Sequence, residues 1–422
     1  MGRLAGGIAG GVLSEGVRQF AQGKRPSMRD VMLTPGNVGR VANQLSQLRG
    51  AAMKVGQLIS MDSGQILPAE LSELLARLRS QADAMPTPQL RQVLVEAWGN
   101  DWQSQFAEFD FRPMASASIG QVHRAVTHDG QWLAIKVQYP GIANSIDSDI
   151  DNVAYLLRMA RLLPEGLDIA PLLAEAKQQL HVETDYLQEA AAMQRYARYL
   201  YAEQKSGDRL VLPTVHEELT SRSVLAMNYC AGIPVDQLAQ HAGSVRNWVT
   251  EQLLILLFRE LFDFGLVQTD PNFANFLYDA SEKQIVLLDF GATREYKDAV
   301  VDGYRHLLAA SLTLDETEML AAAKAIGYFD QSVTEAQRTT VMELFAIATE
   351  PLRHEGVYDF SRSDLATRIR EKGLQLSFEQ EYWHSPPVDA LFLHRKLAGL
   401  YLLATRLRAQ VDLRPLRSWL HS

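Results

Sequence analysis

Cysteine is almost missing from this chain. Cys230 is the single one in 422 residues, which excludes a disulfide framework or a multi-thiolate metal site and suits a reducing compartment. Positive charge is also scarce: 41 Lys+Arg stand against 50 Asp+Glu, a net charge of −9 with no long basic run. Nucleic-acid affinity comes mostly from neutralising phosphates, so no nucleic-acid partner is expected. Long apolar runs are lacking too. Leu4–Leu13 is apolar and small, but a spanning helix needs about 20 residues, and no A-x-A cleavage site follows it. The expectation is therefore a cytoplasmic protein without a transmembrane span, at most peripheral on the inner face of the cell membrane. Glycines at positions 2, 6 and 10, and at 7 and 11, form small-residue stripes of the kind that allow close helix contact, often at membranes. A poorly ordered N-terminus is the alternative.

What is present is ordinary for a folded chain. Hydrophobic residues make up 47% and charged ones 22%, and the length allows two lobes with sizeable cores. Val41, Leu45, Leu48, Val55 and Ile59 form one apolar stripe, which predicts an amphipathic helix over 38–61. Pro68 opens a second helix through Leu78, and Thr87-Pro88 reads as an N-cap/N1 pair for a third, to about Trp98. The pattern then changes. Trp132–Val137 and Ser223–Met227 read as buried strands, with a helical stretch from Ala170 to Tyr201 between them. An apolar helix from Val245 to Phe264 runs into Gly265, read as a C′ glycine. Ile285–Leu288 is a short apolar strand, and almost everything after Arg294 is helical in pattern.

This order predicts an α+β, protein-kinase-like bilobal fold with a small strand-rich N-lobe, a helical C-lobe and a helical N-terminal extension. The expected division is 1–36 as a flexible or membrane-contacting N-terminus, 37–100 as the helical extension, 101–228 as the N-lobe and 229–422 as the C-lobe.

Four motifs in order carry chemistry. Leu133-Ala-Ile-Lys136-Val matches the V-A-I-K strand whose Lys pairs with nucleotide phosphates. Upstream, Ala115-Ser116-Ala117-Ser118-Ile119-Gly120-Gln-Val122 has the spacing of G-x-G-x-x-G-x-V, with alanines for the first two glycines. Those methyl groups remove backbone freedom, which predicts a stiffer loop over the phosphates. Asp270-Pro-Asn-Phe-Ala-Asn275 keeps the catalytic-loop spacing, with Asp270 for the nucleophile and Asn275 for a metal. Asp289-Phe290-Gly291 follows a buried strand, where a magnesium-binding D-F-G belongs. Asp and Asn oxygens are the hard ligands that Mg²⁺ prefers. Glu183-Thr-Asp185-Tyr-Leu-Gln-Glu189 offers three acids on one expected helix, of which Glu189 is assigned to Lys136. Met227, Asn228 and Tyr229 are placed at the adenine hinge by their position after the connecting strand.

Two absences qualify the comparison with protein kinases. Gln268-Thr269 stand where those enzymes carry His-Arg, and no A-P-E or long activation segment follows the D-F-G. A peptide-holding platform is not expected. His123 is not read as a zinc ligand, because the 10 histidines show no paired spacing.

Taken together, these residues resemble the UbiB family of atypical kinases, from about Arg49 to Val411. The resemblance rests on Lys54-Val-Gly56-Gln57, Ala115 through His123, Lys136-Val-Gln-Tyr-Pro140, Glu183-Thr-Asp185, Asp270 with Asn275, and Leu288 through Tyr296. The version Gln268 through Asn275 is similar to the mitochondrial coenzyme Q branch and its bacterial relatives. The resemblance implies an extension packed over the active site, with Lys54 facing Glu183 and Asp185. It implies ATP and Mg²⁺ as cofactors, and ATPase or small-molecule kinase activity supporting ubiquinone biosynthesis. Membrane lipid, a quinone precursor, other quinone-biosynthesis proteins and a second copy of the chain are the partners it brings into view. A nucleotide-switched scaffold with little turnover is the alternative, followed by a protein kinase acting in trans. The apolar stripe of the last helix (Leu397, Leu400, Leu403, Leu407) reads as core before it reads as a membrane contact.

Overall fold

A computed structural model describes residues 48, 50–52, 54–55, 84–117, 119–159, 169–202, 209–270, 272–329, 333–376 and 387–421. The N-terminal stretch 1–36, most of the expected helix at 38–61, and the helix expected from Pro68 lie outside these residues. The chain divides into two units: Met1–Arg124 with Lys136–Asp185, and Ala125–Ile135 with Tyr186–Ser422.

In the first unit, helix α1 (Thr87–Trp98) buries Leu90, Val93 and Leu94. Its Thr87 is the first helical residue rather than the cap: Pro86 occupies the N-cap, with no side-chain hydrogen bond. Beyond it, Trp102, Phe106, Phe109 and Phe111 form an aromatic cluster, with Trp102 and Phe109 centroids 4.9 Å apart, edge to face. Short strands β1 (Glu108–Phe109) and β2 (Ala115–Ser116) precede the longer β3 (Gly120–Val126) and β4 (Trp132–Gln138). The last two continue into the second unit. Helices α2 (Ile142–Met159) and α3 (Ala170–Glu183) pack together. They bury Ile146, Ile150, Val153 and Leu157 on one side, and Leu172, Ala176 and Leu180 on the other. Spacings of three and four residues place each set on one helix face; burying a Leu or Ile contributes about 1.5–3 kcal/mol.

The second unit opens with α4 (Tyr186–Ala202), whose inner face carries Tyr186, Glu189, Ala190, Met193, Tyr196 and Leu200. Thus the single helix expected from Ala170 to Tyr201 is two. Thr184 and Asp185 separate them, the Thr184 and Asp185 amides closing the first on Leu180 and Val182. Strand β5 (Leu210–Val211) is followed by β6 (Val224–Asn228), the expected connecting strand, and β7 (Ile233–Pro234). The strand order of the first sheet is β1-β3-β4-β6, with β2 on β3.

Helix α5 (Gly243–Phe262) buries nearly its whole circumference between Val249 and Leu261. It ends at Phe262 with Asp263 as C-cap, so Gly265 is not the C′ residue; its φ of +59° makes the left-handed turn that launches β8 (Leu266–Gln268). Strands β9 (Phe276–Asp279) and β10 (Gln284–Leu287) pair antiparallel, in a sheet of order β5-β10-β9-β7. Strand β11 (Thr293–Glu295) pairs with β8 in the register Thr293↔Gln268, Arg294↔Val267, Glu295↔Leu266. Helices α6 (Asp298–Thr313), α7 (Glu316–Ile326), α8 (Glu335–Ala348), α9 (Glu350–Arg353) and α10 (Leu365–Leu374) follow. The long α11 (Val388–Arg406) buries Leu400 and Leu403, with Leu407 beyond its end, in agreement with the core reading of this stripe. A two-stranded ladder of β12 (Val357–Asp359) and β13 (Gln410–Asp412) and a 3₁₀ segment, Arg414–Leu420, close the chain. No helix among the described residues is long and apolar enough to cross a membrane.

Candidate functional site

In the first unit the alanine-bearing loop is a closed hairpin tip. Ala115 faces Val122 and Ser116 faces Gln121 across the β2–β3 ladder. The Ala117 amide is already bonded to the Gly120 carbonyl at 2.9 Å, and the Ile119 carbonyl accepts from the Tyr139 amide at 2.9 Å. Ala115 and Ser116 are exposed, while Ile119 is buried; Ser118 lies outside the described residues. Gly120 is needed for packing: a Cβ there would stand 2.2 Å from the Val137 carbonyl oxygen. These bonds tie Ala117 and Ile119 to their neighbours on either side of the loop.

Strand β4 brings Lys136 and Gln138 to one face, two residues apart, and both are buried. Gln138 Nε2 donates to the Thr184 carbonyl at 2.9 Å. The strand is thereby tied to the junction where α3 ends, and that junction holds Glu183 and Asp185, the first as the last residue of α3. The acids expected on one helix therefore flank a break between two. Lys54, helical and 8% exposed at its side chain, forms an ion pair with Glu183. Gly56 and Gln57 lie outside the described residues.

Sequence reasoning missed the role of Gln121 and His123. Both are fully buried. His123 Nδ1 donates to the Asp110 carbonyl at 2.8 Å, which leaves Nε2 as acceptor for the Gln121 amide nitrogen, also at 2.8 Å. Gln121 Oε1 accepts from the Met85 amide at 2.8 Å. Burial pushes the His123 pKa down, as a neutral ring in this chain of bonds requires. The polar pair inside the Q-x-H sequence thus anchors the segment before α1 to the strand that follows the loop; the inward pattern of β3 was its only signal.

In the second unit, Met227 ends the buried part of β6. The amides of Asn228 and Tyr229 are bonded to the Thr214 and Trp132 carbonyls at 3.0 and 2.9 Å. The Asn228 side-chain oxygen accepts from Gln131 Nε2 at 3.3 Å and lies 2.7 Å from His216 Nε2. Both amides are thus already paired within the protein.

The catalytic-loop and D-F-G residues lie in the same unit and are joined through the backbone. The Leu288 amide donates to the Asn275 carbonyl at 2.9 Å, and the Thr269 amide to the Ala292 carbonyl at 3.0 Å. Thr269 Oγ1 donates to that same carbonyl at 2.6 Å. Asn275 Nδ2 donates to Asp270 Oδ2 at 2.9 Å, an amide orientation that leaves its Oδ1 to face a cation. Asp289 Oδ1 accepts from the Gly291 amide at 3.0 Å, which fixes its carboxylate. Glu189 is 3% exposed and accepts from the Phe290 amide at 3.5 Å, so the α4 acid touches the D-F-G turn.

Beneath this loop is a charged network absent from the sequence reading. Arg395 Nη2 donates to Asp270 Oδ1 at 3.2 Å. Its neighbour Lys396 pairs with Glu260, both almost fully buried. Glu260 Oε1 also accepts from Tyr196 OH at 2.8 Å and from the Gln268 amide at 3.2 Å. Burial lowers the Lys396 pKa, with Glu260 and then Asp270 opposing that shift. Burial, reinforced by Glu260, holds the Tyr196 phenol protonated. The only sequence signal was two adjacent cations inside an apolar helix.

Among the described residues no group of three or more His, Cys, Asp and Glu could hold a metal ion. Mg²⁺ does not need one: it is commonly held by one or two protein oxygens, waters and substrate phosphates. The oxygens of Asn275 and Asp289 fit that requirement.

Residues 77–323 match the ABC1 atypical kinase-like domain. The chain is 35% identical over 413 residues to "Atypical kinase COQ8, mitochondrial" of Saccharomyces cerevisiae, covering 97% of this chain and 81% of that protein. It is 38% identical over 417 residues to "Atypical kinase COQ8B, mitochondrial" of Rattus norvegicus, covering 98% and 78%. Among solved structures, Rv3197 of Mycobacterium tuberculosis, in complex with erythromycin, superposes with a TM-score of 0.61 at 23% identity. That match covers 91% of this chain and 96% of the other and reports on the fold.

Proposed function

The chain belongs to the ABC1 atypical kinase-like family, and from that premise we propose that it binds Mg-ATP and acts as an ATPase or small-molecule kinase in ubiquinone biosynthesis. The observation that carries the reading is the Leu288–Asn275 backbone bond. It ties the loop bearing Asp270 and Asn275 to the strand that delivers Asp289. Coincident motifs in a sequence need not lie together, whereas these do.

In this reading Lys136 pairs with the α/β-phosphates, with Glu189 orienting it, and residues Ala115–Gly120 and Val122 cover them. Met227, Asn228 and Tyr229 border the base through their carbonyls and side chains. Asn275 and Asp289 hold Mg²⁺, which neutralises phosphate charge when bound. Asp270 orients water or a substrate hydroxyl. The Lys54–Glu183 pair, with Asp185, Gly56 and Gln57, belongs to the family-specific part that limits access by a peptide. Phosphoryl transfer is mostly positioning and charge neutralisation, and the paired, buried polar groups of this chain are suited to that work.

A second reading, a nucleotide-switched scaffold with slow turnover, is favoured by one observation. Both Asp270 oxygens are already engaged, by Arg395 and Asn275. Contact with a membrane or a phenolic quinone precursor is the stimulus we assign for raising that slow turnover. The protein is then peripheral to a membrane.

Phosphate release from Mg-ATP, with and without liposomes and a phenolic head-group mimic, separates the two. Turnover that rises with either addition and vanishes in Asp289→Asn supports the enzyme. ATP binding without turnover under every condition supports the scaffold.

A further inference from the structure

We propose that Asp389 is a positioning residue which fixes the D-F-G segment. Helix α11 thereby does, without phosphorylation, what an ordered activation segment does in protein kinases. The inference rests on the Mg-ATP reading above, but the contacts that carry it stand independently.

In protein kinases the stretch after D-F-G is mobile until a phosphate pairs with arginine and orders it. Here that stretch is short, since α6 begins at Asp298, and it is held from several sides. Thr293 Oγ1 donates to the Phe290 carbonyl at 2.7 Å. Arg294 donates to Asp389 Oδ1 from both Nε, at 3.2 Å, and Nη2, at 3.0 Å. The same guanidinium lies over the Phe392 ring, 4.6 Å from its centroid. Tyr296, buried, donates its hydroxyl to the Asp389 carbonyl at 2.8 Å. On the other side Glu295 pairs with Arg195 of α4, the helix whose Glu189 meets the Phe290 amide.

The contacts converge on one face of α11. Asp389, Phe392 and Lys396 are three and four residues apart, hence in line on a helix. Asp389 and Phe392 hold the D-F-G segment, Lys396 holds Glu260 under the catalytic loop, and the adjacent Arg395 reaches Asp270. One rigid element therefore sets the two segments that must keep Asp270, Asn275 and Asp289 in register. Asp389 acts where a phosphate acts elsewhere: it is an anion that receives an arginine near the D-F-G. It differs in being permanent. Regulation through phosphorylation of this segment is not required, and the arginine that would read such a phosphate is missing because its counter-anion is built in.

The test uses the full-length protein with Asp389→Ala, Asp389→Asn and the exchanged pair Arg294→Asp/Asp389→Arg. Two readouts are taken: Mg²⁺ and ATP dependence of phosphate release, and amide hydrogen exchange over 289–296. In Asp389→Ala we expect kcat to fall on the order of tenfold, as misplacement at a phosphoryl-transfer site does. The Mg²⁺ concentration for half-maximal rate should rise while KM for ATP stays nearly unchanged, and exchange over 289–296 should speed up. The exchanged pair should recover part of each effect. If Asp389→Ala is too unstable to purify, Asp389→Asn, which keeps an acceptor but no charge, carries the same comparison. Wild-type exchange over 289–296 in both variants overturns the proposal. So does a fall in kcat with an unchanged Mg²⁺ requirement. If the unaltered protein shows no ATP turnover under any condition, the enzymatic reading fails, while the exchange comparison still decides the anchor.

Discussion

Arg395 lies 125 residues beyond Asp270 in the chain and donates to its Oδ1 from Nη2 at 3.2 Å. With Asn275 on Oδ2, the candidate catalytic carboxylate is held at both oxygens by the protein itself. The two side chains are 15% and 23% exposed, so the pair is half-buried.

Arg395 is therefore expected to orient Asp270 rather than to stabilise the fold. Arg395→Met should lower kcat by about tenfold with a small change in unfolding midpoint. Arg395→Lys should restore part of the rate, because lysine brings the charge without the planar fork. Equal losses of rate and stability in Arg395→Met would argue for a merely structural pair.

The buried pair beside it should behave in the opposite way. Lys396→Met leaves Glu260 buried without its cation, a situation that costs about 3–5 kcal/mol. Removing both charges, as Lys396→Met with Glu260→Gln, should recover much of that loss, since the Tyr196 and Gln268 donors can still bond to an amide oxygen. Urea unfolding of the two variants checks this; a double variant no more stable than the single one would contradict it.

His394 gives a pH signature. Its ring lies in α11, with Nε2 2.6 Å from Tyr328 OH, and burial pushes its pKa down from 6.5 to about 4. The folded protein thus keeps the ring neutral while the unfolded chain protonates it near pH 6.5. Stability from this group is complete above that pH and declines as pH falls from 6.5 toward 4. Between pH 7 and pH 5 the loss should amount to about 2 kcal/mol. Urea midpoints across that range should show this excess slope in the unaltered protein and not in His394→Gln, in which the side chain cannot titrate. Parallel slopes would contradict it.

Much of the strand framework could be read locally. Trp132–Val137 was expected and Trp132–Gln138 is observed; Ser223–Met227 was expected and Val224–Asn228 is observed. Alternation and apolar runs encode such elements within a few residues. The break at Thr184-Asp185 could not be read that way, because its neighbours have helical composition. The Thr184 carbonyl instead receives Gln138 Nε2 from a strand 46 residues earlier. The same holds for Arg395 and Lys396. On a helical pattern they are two polar positions in an apolar run, and only the fold brings Asp270 and Glu260 to them. The candidate site residues stand out by type and spacing, whereas the residues that hold them do not.

The most direct test of the central claim is ATP binding by titration calorimetry, with and without Mg²⁺, for the unaltered protein and for Asp289→Asn. The account expects Mg²⁺ to tighten ATP binding in the unaltered protein and to have little effect in Asp289→Asn, with binding of nucleotide alone retained in both. Mg²⁺ tightening binding equally in both proteins, or no ATP binding at all, would contradict it.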